Sequence, residues 1–349
     1  MMRLVPALLS LLAALATAGA EAGEAPVGVR ALGLAAPDRG TTTLDSSIWY
    51  PAGPGGERGA YGGSPVFRAT PARLGAPLAP GRFPLILLSH GGLRSAPHMG
   101  DWLAAGLAAR GMMVAVIRPP APPDARTALA EYWRRPADFS AALDGLLADP
   151  DLAPHFDPER VGAVGLFLGG TSVLALAGVR VDPDALRTAC DVPGQLIDCA
   201  WFDAQGVDLH RADLAPLSDI APDPRFRVGV VVDPELTKLL AADSLRDVTI
   251  PVTAVNLGTS DLVAPELDAS GLIARIPGFS YAALPGASRF DAFALCTPRG
   301  SAILAEEGAP NSPLCAARSR AAAHRQLLAR VYDGLRRGMD ETPEPGNGE

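Results

Sequence analysis

The chain has 349 residues, a formal net charge of −8 and a single lysine, Lys238. Its charges are spread without long runs of one sign, which excludes the basic face that nucleic-acid binding requires. Beyond the N-terminus no stretch is apolar enough to span a bilayer, so no stable membrane insertion is expected, and the remaining length, about 320 residues, suits one large α/β domain or two small ones.

At the N-terminus Arg3 precedes the apolar run Leu4–Ala16, and small residues at Ala18, Ala20 and Ala22 follow. That order is a secretory signal with a peptidase site, so residues 1–22 are expected to be removed and the protein to be secreted or periplasmic. Val27–Ala35 and Thr43–Tyr50 alternate as an antiparallel hairpin does, and the Pro- and Gly-rich run Pro51–Gly81 reads as a long loop. Phe83–Ser89 is a continuous apolar run, the pattern of a strand buried on both faces, and it ends at Ser89-His-Gly-Gly-Leu93.

A helix over Asp101–Arg110 follows, with Gly111 at its C-cap, then a buried strand over Met112–Ile117 and a helix over Pro136–Ala148. Val161–Gly170 reads as a strand, a tight turn and the entry to a helix through Thr171–Gly178. Strands alternating with helices at this spacing indicate a mostly parallel sheet covered on both faces. The rhythm lapses over Val181–Arg225, which is expected to form a lid-like excursion over the C-terminal edge of the sheet. Strands return at Phe226–Val232, Ile250–Leu257 and Gly278–Leu284, and a long helix over Ala316–Arg337 precedes a Pro- and Gly-rich acidic tail, Asp340–Glu349, expected to be disordered. Residues 23–339 are thus read as one domain.

The four cysteines, Cys190, Cys199, Cys296 and Cys315, allow three pairings, and an exported chain sits where disulfides form. Two sequence-local bridges are preferred, because each closes a loop-rich excursion. No Cys-x-x-Cys occurs and the five histidines are scattered, so neither a metal site nor a cofactor is expected.

Gly165 and Gly169 flank Phe167 at the spacing of a nucleophile elbow, Gly-x-Nuc-x-Gly, where a strained turn and close strand–helix packing demand glycine. The residue at its centre should be a nucleophile, and phenylalanine has no nucleophilic atom.

Several segments carry a resemblance in shared order and spacing: Ser46-Ser-Ile-Trp-Tyr-Pro51, Pro84-Leu-Ile-Leu-Leu-Ser-His-Gly-Gly92, Trp133-Arg-Arg-Pro-Ala-Asp138, Asp157-Pro-Glu-Arg-Val-Gly-Ala-Val-Gly165, Pro251-Val-Thr-Ala-Val-Asn-Leu-Gly-Thr-Ser-Asp261 and Leu284-Pro-Gly-Ala-Ser-Arg-Phe-Asp-Ala-Phe-Ala-Leu-Cys296. Across nearly all of the mature chain they resemble the secreted dienelactone-hydrolase-like proteins of bacteria, relatives of the platelet-activating-factor acetylhydrolases within the α/β-hydrolase fold. The resemblance implies that fold and a carboxylic ester hydrolase with Ser, Asp and His in chain order. It places the nucleophile at Phe167, the acid at Asp261 and the base at Arg289, and it implies an oxyanion hole from the N–H groups of Leu168 and of Gly91 or Gly92.

Two of the three catalytic positions are therefore disabled, because arginine stays protonated and cannot act as a general base. Ser172 and Ser89 read as structural, and His90, His98, His155, His210 and His324 lack a base-like context. Arg289 is expected to bridge Asp261, either merely filling the old site or holding an acidic ligand together with the helix N-terminus. The leading reading is an exported, catalytically inactive member of the fold with a small acidic or ester-like ligand and protein partners left open. The alternative is an active esterase or lactonase using other groups, and a third reading is an interaction protein that uses the 181–225 excursion as its contact surface.

Overall fold

The computed structural model describes residues 26–40, 43–315 and 320–340. The expected signal sequence and residues 341–349 of the acidic tail lie outside the described residues. Ten strands form one sheet: β1 (Val27–Ala35), β2 (Thr43–Pro51), β3 (Glu57–Tyr61), β4 (Thr70–Leu74), β5 (Phe83–His90), β6 (Met113–Arg118), β7 (Phe156–Leu166), β8 (Val228–Val232), β9 (Val252–Asn256) and β10 (Phe279–Ala283). Their order is β10-β9-β8-β7-β5-β6-β2-β1-β4-β3. From β6 through β5 to β10 every neighbouring pair is parallel.

The expected hairpin is present, with β1 antiparallel to β2 from Val27↔Pro51 to Ala35↔Thr43. The run expected as one long loop instead contains β3 and β4, which pair antiparallel with each other, while β4 touches β1 through only two residues. These are short, half-exposed strands at the margin of the sheet, with β3 at its edge, so their sequence carries no buried alternating face to announce them.

The helices are α1 (Asp101–Ala108), α2 (Ala125–Leu129), α3 (Glu131–Ala148), α4 (Leu168–Leu176), α5 (Pro183–Arg187), α6 (Cys199–Ala204), α7 (Gly300–Glu306) and α8 (Arg320–Asp340). The helix expected to start at Pro136 starts at Glu131, with the proline inside it. Ala130 already has helical dihedrals, and the helix runs on through Pro136 although proline gives up its N–H bond and crowds the carbonyl four residues earlier. The last helix extends to Asp340, the residue expected to open the tail, and residues 316–319 lie outside the described residues.

Side chains alternate across the parallel strands. Leu85 and Leu87 of β5 join the core under α3 and α4, while Ile86 and Leu88 join the core under α1 and α8. On the first face Phe139, Leu143 and Leu174 pack with Leu186, Phe202, Leu209 and Leu217 of the 181–225 excursion. The excursion is therefore tied into the core rather than lying loose over it. The structure pairs Cys190 with Cys199 and Cys296 with Cys315. No helix among the described residues is long and apolar enough to cross a membrane.

β6 lies on one side of β5 and β7 on the other, so the strand order reverses between the carboxyl ends of β5 and β7. In an open parallel sheet that is where a crevice for ligands forms. A buried charge network fixes the loop there. Arg39, in the turn after β1, donates to Glu131 and Asp138 of α3 at 2.7 Å each. Arg135 of α3 donates to the Gly91 carbonyl at 2.7 Å and the Gly92 carbonyl at 3.1 Å.

Candidate active site

The β7–α4 turn has the elbow shape its glycines predict. A Cβ on Gly165 would stand 2.0 Å from the Gly169 carbonyl oxygen, and one on Gly169 would stand 2.2 Å from that of Ser89. Both contacts are with backbone, so only glycine lets α4 leave the strand at this angle. Phe167 sits at the apex with φ 58° and ψ −124°, a backbone that a non-glycine residue adopts only when its surroundings impose it. The imposing contacts are Phe167 N–H to the Val232 carbonyl at 3.0 Å and Gly170 N–H to the Phe167 carbonyl at 2.8 Å. α4 begins at Leu168, immediately after the apex, three residues earlier than expected.

The phenylalanine ring is buried, 5% exposed. It meets the His90 ring edge to face at 5.7 Å and the Phe293 ring at 5.8 Å, and His90 and Phe293 lie 5.3 Å apart. Burial pushes His90 down to about 3, so its imidazole is neutral, and neither ring nitrogen has a hydrogen-bond partner among the described residues.

The three N–H groups expected to line an oxyanion hole differ in their surroundings. Gly91 N–H donates to the Leu166 carbonyl at 3.2 Å and Gly92 N–H to Ser95 Oγ at 3.0 Å, so both are occupied. Leu168 N–H has no acceptor among the described residues, and neither does that of Leu93, which lines the adjoining cavity.

Arg289, in the loop after β10, lines the same cavity as Phe167, with its guanidinium 5.1 Å from the Phe290 ring. Asp261 is elsewhere. Leu262 and Val263 N–H both donate to the Thr259 carbonyl, and the resulting turn leaves Asp261 in solvent beside Leu262, itself 75% exposed. The expected Arg289–Asp261 bridge is absent among the described residues, because the turn curls Asp261 away from the cavity.

Two other carboxyls, Asp233 and Glu235, are buried beside the elbow. Both follow β8, at the strand end next to the elbow. Asp233 is 1% exposed and has φ 43°. Its Oδ1 accepts from Asn256 Nδ2 and from Leu257 N–H, each at 2.8 Å, while its buried Oδ2 has no partner. Burial pushes its carboxyl up to about 6, against the pull of those two donors and of Arg289.

Glu235 is 4% exposed, lines the cavity beside Phe167 and Arg289, and lies against Gly92. Burial raises it to about 8, with Asp198 adding and Arg135, Arg94 and Arg289 opposing. The run Val-Val-Val-Asp-Pro-Glu, an acid directly after an apolar strand, was the available signal.

The cavity encloses ≈ 470 Å³. Its wall from the excursion is Ile197 and Asp198, and Asp198 pairs with Arg94 at 3.0 Å. Of the other residues weighed as substitutes, Ser89 is buried with its Oγ lacking a hydrogen-bond partner among the described residues, and those with partners sit in structural contacts. Ser172 Oγ donates to the Leu168 carbonyl, His98 pairs with Asp101 at 2.8 Å, and His324 stacks on Trp102 at 3.6 Å. No group of three or more His, Cys, Asp or Glu side chains among the described residues is arranged to hold a metal ion.

No protein-family model matches the chain, and no curated protein matches it. Among solved structures, a ferulic acid esterase from Streptomyces cinnamoneus is similar with a TM-score of 0.60 at 21% sequence identity, over 94% of this chain and 94% of that one. A dienelactone hydrolase from Anabaena variabilis gives a TM-score of 0.44 at 14% identity, over 88% of this chain and 99% of that one. With the observed strand order and elbow, the first likeness shows that the chain has the α/β-hydrolase fold.

Proposed function

We propose that this protein is an exported, non-catalytic ligand-binding member of the α/β-hydrolase fold, with the site of an ester hydrolase kept as a cavity and its reaction lost. The observation that carries this reading is Phe167 at the elbow apex, held in the strained backbone that would present a nucleophile. Acyl transfer needs an attacking oxygen or sulfur there and a base to take its proton. The apex carries neither atom, and Arg289 in the base loop stays charged.

The cavity wall carries two serines, and Ser312 Oγ accepts the Leu314 N–H. Ser95 Oγ already accepts the Gly92 N–H, and His90, held to about 3, is too weak a base near neutral pH. The acid position belongs to Asp233 on this reading, not Asp261. One oxygen is fixed by two donors and the other is unpartnered, as for a carboxylate that orients an imidazole. Export rests on the N-terminal signal pattern and on the two disulfides.

The test uses purified protein and p-nitrophenyl butyrate. Turnover above buffer background that a fluorophosphonate abolishes refutes the reading. Phe167→Ser combined with Arg289→His should gain measurable hydrolysis, and either change alone far less, because triad members act as a unit. In that double variant Asp233→Asn should remove the gain and Asp261→Asn should leave it. The reverse result returns the acid position to Asp261.

A further inference from the structure

Resting on the non-catalytic reading, we propose that the cavity binds a small monocarboxylate with a flat apolar body, its carboxylate held between the Arg289 guanidinium and the Glu235 carboxyl and its body laid against Phe290, Phe293 and Phe167. Three observations converge on this ligand.

The first is charge. Arg94 is paired with Asp198 and Arg135 with Glu131, whereas Arg289 has no carboxylate within ion-pair distance among the described residues. One unspent cation in the wall matches one ligand charge. The second is Glu235. It is more than nine-tenths buried, lines the cavity, and its Oε2 has no hydrogen-bond partner among the described residues. Burial keeps that carboxyl protonated at neutral pH, and a neutral acid donates its O–H to a carboxylate in a strong charge-assisted hydrogen bond. The third is the apolar wall, where phenylalanines face the same space as the two polar groups.

The groups facing Glu235 come from every element around it: Asp198 from the excursion, Arg94 from the loop after β5, Arg135 and Tyr132 from α3, and Arg289 from the loop after β10. Tyr132 is held well above its ordinary value, and Asp233 is raised only to about 6. Burial also raises Asp198, against its pairing with Arg94, and Glu235, raised to about 8, changes charge between pH 7 and 9.

The probe is 3-phenylpropanoate, titrated calorimetrically into the purified protein, with 3-phenylpropan-1-ol as the neutral control. Binding of the carboxylate but not the alcohol is expected, weakening about tenfold from pH 7 to pH 9 as Glu235 ionises. Arg289→Gln, at a half-buried position that leaves the core untouched, should weaken binding at least tenfold at pH 7. Glu235→Gln keeps an N–H donor and should retain binding while losing the pH dependence. Equal affinity for the alcohol, no weakening toward pH 9, or no heat at about 10 mM probe overturns the proposal. Ester turnover in the separate assay would sink the non-catalytic reading and leave this titration to decide the ligand.

Discussion

Replacing Phe167 by alanine and by glycine separates the elbow's backbone from its side chain. Both changes remove a ring that is 5% exposed and packed against His90 and Phe293, so both should lose about 3–5 kcal/mol relative to the parent. They differ at the backbone. With φ 58° and ψ −124°, alanine retains the strain of a left-handed position, about 1–3 kcal/mol, which glycine avoids. Against this, glycine makes the unfolded chain more flexible, at about 0.4–1 kcal/mol. The glycine variant should therefore be the more stable of the two by about 1 kcal/mol, or roughly 2 °C in thermal midpoint for a domain of this size. Thermal unfolding followed by far-UV circular dichroism reads the difference. At an ordinary position the order is reversed, with alanine ahead. If alanine is the more stable here, Phe167 does not occupy the elbow conformation and the assignment of the site falls with it.

Three further outcomes follow from the structure. Glu235 is raised in the fold to about 8 from an ordinary 4.5, so the folded state holds a proton the unfolded chain releases. Its contribution to stability is full below pH 4.5 and is lost as pH rises to 8, on the order of 5 kcal/mol across that window; Glu235→Gln should flatten the midpoint-against-pH curve there, and an unchanged slope would refute the burial argument. Arg39→Ala should cost about 3–5 kcal/mol by urea unfolding, because it strands Asp138 and half of Glu131 in a buried site; a loss below about 1 kcal/mol would mean the network is solvated. Gly169→Ala should yield no folded protein, since its Cβ would stand 2.2 Å from a strand carbonyl, and a stable variant would show that α4 leaves the sheet at another angle.

What could be read from the sequence divides along physical lines. The parallel strands were legible because strands buried on both faces are written as continuous apolar runs, as in Leu85–Leu88 and Val230–Val232. The elbow was legible because its glycines answer backbone contacts that no other residue permits. β3 and β4 were not, because a strand at the sheet margin, half in solvent, has no periodic apolar face. The exposure of Asp261 was not legible for a different reason. Sequence order gives the strand end on which an acid sits, but whether that acid turns inward depends on the next few backbone bonds, here the two N–H groups returning to the Thr259 carbonyl. The burial of Asp233 and Glu235 was not legible because it is set by the loops that close over the end of β8, not by the strand's own sequence.

The elbow glycines and the buried carboxyls weigh differently as signs of use. Gly165 and Gly169 are demanded by packing alone, so a chain that has lost its reaction still needs them, and they say nothing about chemistry. Asp233 and Glu235 are the opposite case. Each is nearly inaccessible, each has an oxygen without a hydrogen-bond partner among the described residues, and each is raised above its ordinary value by burial. Such groups cost stability, and apolar residues of similar volume would remove that cost. Phe167 shows that this site accommodates an apolar side chain at its centre, so the polar groups around it are not there for want of room. On the proposed reading, a cavity with phenylalanine at the elbow apex, a buried acid and an arginine that makes no ion pair among the described residues is better suited to holding a ligand than to cleaving one.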